Sequence, residues 1–162
     1  MSKTSLGLAL VSFVLTTASA QAAVPLATKK ALTLDAAKQI AAAAESEAKK
    51  NSWTMVIAIV DDGGQLVYLE RLDGTQLGSI DVAQGKAKTA LRFKRPSKAF
   101  EDVLAGGRTA ILGLDIIPIE GGSPLVVDGQ IIGAIGVSGG TSQQDGVVAK
   151  AGVDALTSTS MP

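Results

Sequence analysis

The stretch IEGGSPLVVDGQIIGAIGVSGGTSQQD, residues 119–145, constrains the fold more than any other part of the chain. Glycines fall at 121, 122, 129, 133, 136, 139 and 140, and apolar residues fill most of the gaps. Asp128-Gly129 separates two β-rich runs, Pro124–Val127 and Ile131–Val137. That arrangement predicts a hairpin closed by a two-residue turn, because both turn positions tolerate positive φ. Gly133, Ala134 and Gly136 leave the second strand almost without relief. Such a surface admits the close approach of a helix, a second chain or a flat ligand. A flat surface also buries well against a copy of itself, so self-association into a homo-oligomer is expected.

Periodicity places the remaining elements. Thr33 is positioned to cap a helix with Asp35 in its first turn and Leu34, Ala37, Ile40, Ala41 and Ala44 at helical spacing, ending near Lys49, Lys50 and Asn51. Met55–Val60 and Gln65–Arg71 read as strands joined at Asp62-Gly63-Gly64. A second helix starts at Ser79 or Asp81 and runs to about Phe93. Pro96 breaks it, and a short helix over 97–105 ends at Gly106-Gly107. Ile111–Ile119 reads as a further strand. A last helix opens at Ser142 or Asp145 and runs through Leu156. The expected fold is α+β: a single domain in which helices flank an antiparallel sheet of about five strands.

The expected domain covers residues 32–157, with 23–31 a flexible lead-in. Residues 1–22 read as a secretory signal peptide. Lys3 supplies the positive start, Leu6–Leu15 the short apolar run, and Ala18-Ser19-Ala20 or Ala20-Gln21-Ala22 the cleavage site. The apolar run is about half the roughly 20 residues a spanning helix needs. A periplasmic or secreted protein is therefore expected, without a membrane anchor once the leader is removed.

Composition removes several chemistries. The chain has no cysteine and no histidine. Ser-His-Asp and Cys-His catalysis, Cys/His zinc sites and His-ligated haem all fall away. Aromatic residues are 3% of the chain and the formal net charge is zero. Both argue against nucleic acid, which requires stacking platforms or a basic field.

Lys86, Lys88, Arg92, Lys94, Arg95 and Lys98 form the clearest polar cluster, with no acid between Asp81 and Glu101. Lys88, Arg92 and Arg95 recur on one helical face. They suit a small anionic ligand, and suit equally a solvated face or a subunit contact. Gly121 and Gly122 could present backbone N–H groups to the same anion, or simply turn a corner. Lys88, Arg92, Gly121 and Gly122 are accordingly the candidate ligand-binding residues. Arg71, Asp73 and Gly74 form either a ligand clamp or a turn with its own ion pair. Glu120 is a titrating carboxylate or a surface charge. Asp61 and Asp62 point to opposite faces and make a poor acid–base pair. Asp145 reads as a helix-capping residue.

Gly121-Gly122-x-Pro124, the run Gly133–Gly139 and the early helical Asp145 resemble the haem-degrading family variously called GlcG-like or HbpS-like, which includes the C-terminal domain of PduO-type proteins. Asp61–Leu66, Arg71–Gly74 and Lys86–Ala90 extend the resemblance, which spans roughly residues 32–156. It implies haem or a related tetrapyrrole as ligand, and an assembly larger than a monomer. Three functions follow: an exported binding protein for such a ligand, an enzyme degrading haem or acting on a small metabolite, or an accessory module without a ligand. The missing nucleophile–base pair favours binding and leaves enzyme activity undecided. Conceivable axial groups for haem are Tyr68, Met55, Thr89 or a lysine.

Overall fold

The structure, a computed structural model, describes residues 24–158. The expected leader lies outside the described residues. Helix α1 (Leu34–Lys50) begins where Thr33 Oγ1 accepts from the Ala36 N–H at 3.2 Å, and stops at Asn51, whose own N–H bonds the last-turn carbonyls. A cap of this kind contributes about 1 kcal/mol. Strands β1 (Val56–Asp61) and β2 (Leu66–Arg71) form the first hairpin. Helices α2 (Ser79–Phe93) and α3 (Lys98–Ala105) follow, and Lys94 in the left-handed region closes α2 two residues before Pro96. The second hairpin is β3 (Gly122–Val127) and β4 (Gln130–Ser138). Its turn residues Asp128 and Gly129 both have positive φ, 49° and 74°, as a tight primed turn requires. Helix α4 (Ser142–Ser158) ends the described chain.

The sheet is antiparallel, in the order β2-β1-β4-β3, so both hairpins are joined through β1 and β4. It has four strands where about five were expected. The expected strand at 111–119 is instead a 3₁₀ turn, Thr109–Gly113, followed by irregular chain. Asp115 adopts a φ of 46°, which extended chain cannot continue through. Pro118 lacks a donor. The Ile117 N–H is taken by the Thr89 hydroxyl at 2.9 Å, and Ile117 itself packs onto Gly85. This segment lies against α2 and not along a strand.

Alternation along β1 divides the core. Ile57 and Ile59 join Ile135 and Val137 under α1 and α4, while Val56, Ala58 and Val60 face α2. These five β1 residues are fully buried, each isoleucine contributing roughly 1.5–3 kcal/mol. The low surface of β4 is occupied from within the chain. A Cβ on Gly136 would lie 2.0 Å from the Ala83 carbonyl oxygen and 2.6 Å from the Ala87 nitrogen, so α2 rests directly on the strand. The flatness expected to serve self-association serves helix–sheet packing.

Candidate functional site

The basic cluster divides when folded. Lys86 and Lys88 sit two residues apart on α2 and point to different environments. Lys86 turns inward, 1% exposed, and its Nζ lies 2.6 Å from Asp145 Oδ2. Asp145 Oδ1 accepts from the Gly140 N–H at 3.0 Å. Asp145 thus ties α2 to the start of α4 as well as occupying its first turn. Lys88, Arg92 and Lys94 are exposed. Arg95, expected on the same helical face, lies beyond the end of α2, with its guanidinium 5.7 Å from the Phe100 ring centroid.

Lys88, Arg92 and Lys94 border a cleft of about 430 Å³ with Leu91, Ile131 and the β1–β2 turn, Asp62–Gln65. Three elements position it. α2 supplies the cations. The turn supplies a low wall at Gly63 and Gly64, held by Asp61 Oδ1, which accepts from the N–H groups of Gly63 at 2.9 Å and Gln65 at 2.8 Å. β4 supplies the apolar floor at Ile131. Arg92 meets Asp115 at 3.1 Å in an exposed pair, worth little in water. Lys88 and Lys94 have no ion-pair partner among the described residues. Asp62 is bonded to Lys29 of the lead-in, and that hydrogen bond is the first cause holding its carboxyl below the ordinary value. The expected flexible lead-in is thus pinned to both hairpin turns, Lys29 to Asp62 and Lys30 to Asp128.

Gly121 and Gly122 are not on this cleft. Both are buried, against Lys86. A Cβ at Gly122 would come 2.2 Å from the Lys86 carbonyl oxygen, and one at Gly121, φ 123°, 2.6 Å from the Val137 carbonyl oxygen. The Gly122 N–H donates to Ser97 Oγ at 2.8 Å, and Ser97 Oγ donates to the Ile119 carbonyl at 2.6 Å. The glycine pair is therefore a corner required by close packing. Its donor at 122 is spent on Ser97, a residue that no local pattern marks. The part of the basic run that meets this corner is Lys86, and not Lys88 or Arg92.

Glu120 lies over Gly146 of α4, and desolvation raises its carboxyl pKa first, with Glu101 and Asp102 adding to the rise while Lys98 and Lys86 oppose it. Glu101 accepts from the Glu120 N–H at 2.5 Å and from Ser142 Oγ at 3.0 Å. These carboxylates join α3, the corner and α4. Among the described residues no group of three or more His, Cys, Asp or Glu is placed to hold a metal ion. Nor is any described helix long and apolar enough to cross a membrane.

The family described as "Haem degrading protein HbpS-like" matches residues 32–154. The chain belongs to the HbpS-like family. Protein GlcG of Escherichia coli K12 is 45% identical over 112 residues, which are 68% of this chain and 84% of that protein. Among solved structures, a PduOC:haem complex aligns with a TM-score of 0.72 at 30% identity, covering 78% of this chain and 95% of the other. A double mutant of HbpS from Streptomyces reticuli aligns with a TM-score of 0.74 at 31% identity, covering 86% and 98%. The HbpS-like match takes in the whole sheet and the cleft beside α2.

The HbpS-like domain can be tested for haem with its own groups. Lys88, Lys94 and Arg92 are suited to two propionates, and Leu91 and Ile131 to an apolar ring edge. Of the conceivable axial groups, Tyr68, Met55 and Thr89 are not on the cleft, whereas Lys88 and Lys94 are. Met55 is 0% exposed, and the Thr89 hydroxyl donates to the Gly85 carbonyl while accepting from Ile117. The Tyr68 hydroxyl donates to Glu70 at 3.0 Å. The donor set fits carboxylate recognition, and it offers the iron lysine amines and the Asp62 carboxylate.

Proposed function

We propose that this protein is an exported binding protein for haem or a related tetrapyrrole. The observation that carries the proposal is the grouping of Lys88, Arg92 and Lys94 around an open cleft with a glycine wall and an apolar floor. Bound haem supplies an iron centre and two carboxylates. The chain's part is to hold the carboxylates with cations and to shelter one ring edge against Leu91 and Ile131. Charge-assisted hydrogen bonds are about twice as strong as neutral ones, so the carboxylates carry most of the polar recognition. The haem carried by the PduOC relative supports the ligand class. The absence of a cleft histidine favours reversible holding over oxidative degradation. We further propose a homo-oligomer, supported by the exposed Leu112 of the 3₁₀ turn and the exposed Leu114 and Ile119 that follow it.

Hemin titration followed at the Soret band tests the binding. A saturable, stoichiometric shift is expected in the wild type, with affinity about tenfold lower or more in K88Q/R92Q at matched oligomeric state. Equal affinities at low and high salt would remove this face from the site. Loss of the band on adding a reductant would make the protein a haem-degrading enzyme. The export proposal is tested by N-terminal sequencing of the protein from its native host, where retention of Met1 would defeat it.

A further inference from the structure

At the other end of the β1–β2 hairpin from the cationic cleft, a cavity of about 550 Å³ opens between α1 and the end of β2. Its size is that of a small-molecule site. Glu45 and Lys49 of α1, Trp53 before β1, and Glu70, Arg71 and Asp73 line it. Three observations distinguish it from a surface dent.

The first is an unsatisfied carboxylate. Glu70 Oε2 accepts from the Tyr68 hydroxyl at 3.0 Å, but Oε1 is buried without a hydrogen-bond partner. Buried acceptors are nearly always paired, so the Glu70 carboxylate, which lines the cavity, carries an unused acceptor. Burial raises the Glu70 pKa, and the Tyr68 hydrogen bond opposes the rise; Glu45 adds to it and Lys49 opposes it.

The second is charge. Lys49 is engaged by Glu45 at 2.5 Å. The ion pair that the sequence allowed between Arg71 and Asp73 is not formed: Arg71 Nη1 donates to the Thr75 carbonyl at 3.3 Å. Glu70 and Asp73 therefore face a single remaining cation, Arg71. The third is the wall. Trp53, the only tryptophan of the chain, lies there, and an indole face attracts cations as well as apolar groups.

We propose that this cavity is a second binding site, for a small primary ammonium compound with an apolar body, whose N–H groups meet the Glu70 carboxylate and whose body lies against Trp53. The ammonium supplies a donor and balances the surplus carboxylate. The site is separate from the haem cleft and stands whether or not haem binds there.

The single tryptophan makes occupancy directly readable as intrinsic fluorescence. Phenethylammonium is the probe and 2-phenylethanol its uncharged counterpart. The wild type should show a saturable fluorescence change with the amine at millimolar concentrations and bind the alcohol at least about tenfold more weakly. Amine affinity should fall as pH is lowered through the Glu70 titration, because the protonated carboxyl no longer attracts a cation. E70Q, which keeps the side-chain shape, should bind the amine about tenfold more weakly or worse. Equal affinity for amine and alcohol, a pH-independent affinity, or no saturable change up to roughly 10 mM would overturn the proposal. None of these three outcomes requires a variant, so the test survives a misfolded E70Q. Amine binding is expected to be unchanged in K88Q/R92Q, which separates this site's failure from that of the cleft.

Discussion

Lys86 Nζ and Asp145 Oδ2 lie 2.6 Å apart in the interior, 59 residues apart in sequence, with side chains 1% and 4% exposed. They lock α2 to α4 beside the Gly121-Gly122 corner. Removing one partner of a buried pair strands the other, whereas replacing both by apolar groups need not. K86M should therefore destabilise the fold by about 3–5 kcal/mol, and K86M/D145L should recover part of that loss. Denaturant unfolding of the two single variants and the double variant measures it. A neutral K86M would show that the pair contributes specificity without stability.

The α2–β4 contact should also be unforgiving. G136A places a methyl 2.0 Å from the Ala83 carbonyl oxygen, a backbone atom that no rotamer change can move. Overpacking of this kind costs about 1–3 kcal/mol, and here helix and strand must separate to accommodate it. G129A adds a methyl where nothing lies within 4 Å and is strained only by its φ of 74°. Thermal melts of both variants should show G136A the more damaging and locate its effect in packing.

The features legible in the sequence are those whose partners are local. Thr33 bonds three residues on, and Asp128-Gly129 closes its own hairpin. The flatness of Gly133–Gly136 was equally visible, but its occupant was not, because α2 reaches it from some fifty residues earlier. The apolar run at 111–119 has the composition of a strand. Its backbone donor at Ile117 went to Thr89, 28 residues away, and no periodicity registers such a competitor. The candidate site divided for the same reason. Lys86 and Lys88 look alike in a basic run, and only the direction of α2 over the sheet buries one beside Asp145 and leaves the other on the cleft. The Glu70 orphan was not legible at all, since a half-buried edge-strand carboxylate shows no sequence pattern.

Glu70 gives a pH signature of stability. Burial, the largest influence, raises its folded pKa above the ordinary value near 4.5. Between the unfolded and folded values the native state holds more proton than the unfolded chain, so this group's contribution falls as pH rises through that window. E70Q removes the cost of an ionised, half-buried carboxylate. It should melt above the wild type at pH 7, and the difference should shrink towards pH 4. A melting difference independent of pH would assign the effect to the Tyr68 hydrogen bond instead.

The lead-in should tune the cleft through Asp62. Lys29 bonds this carboxylate, which lines the cleft across from Lys88 and Arg92. K29Q leaves the carboxylate uncompensated beside the place proposed for the haem propionates. Like charges at an exposed site interact weakly and are screened by salt. Hemin affinity of K29Q should thus fall only roughly two- to fivefold at low ionic strength, and the loss should vanish in high salt. D62N, which removes the acid itself, should bind hemin as well as the wild type or better, and K29Q/D62N should match D62N. Soret titrations of the three variants at two salt concentrations make the comparison. A K29Q defect that persists in D62N would place the contribution of Lys29 on the ligand directly and not through Asp62.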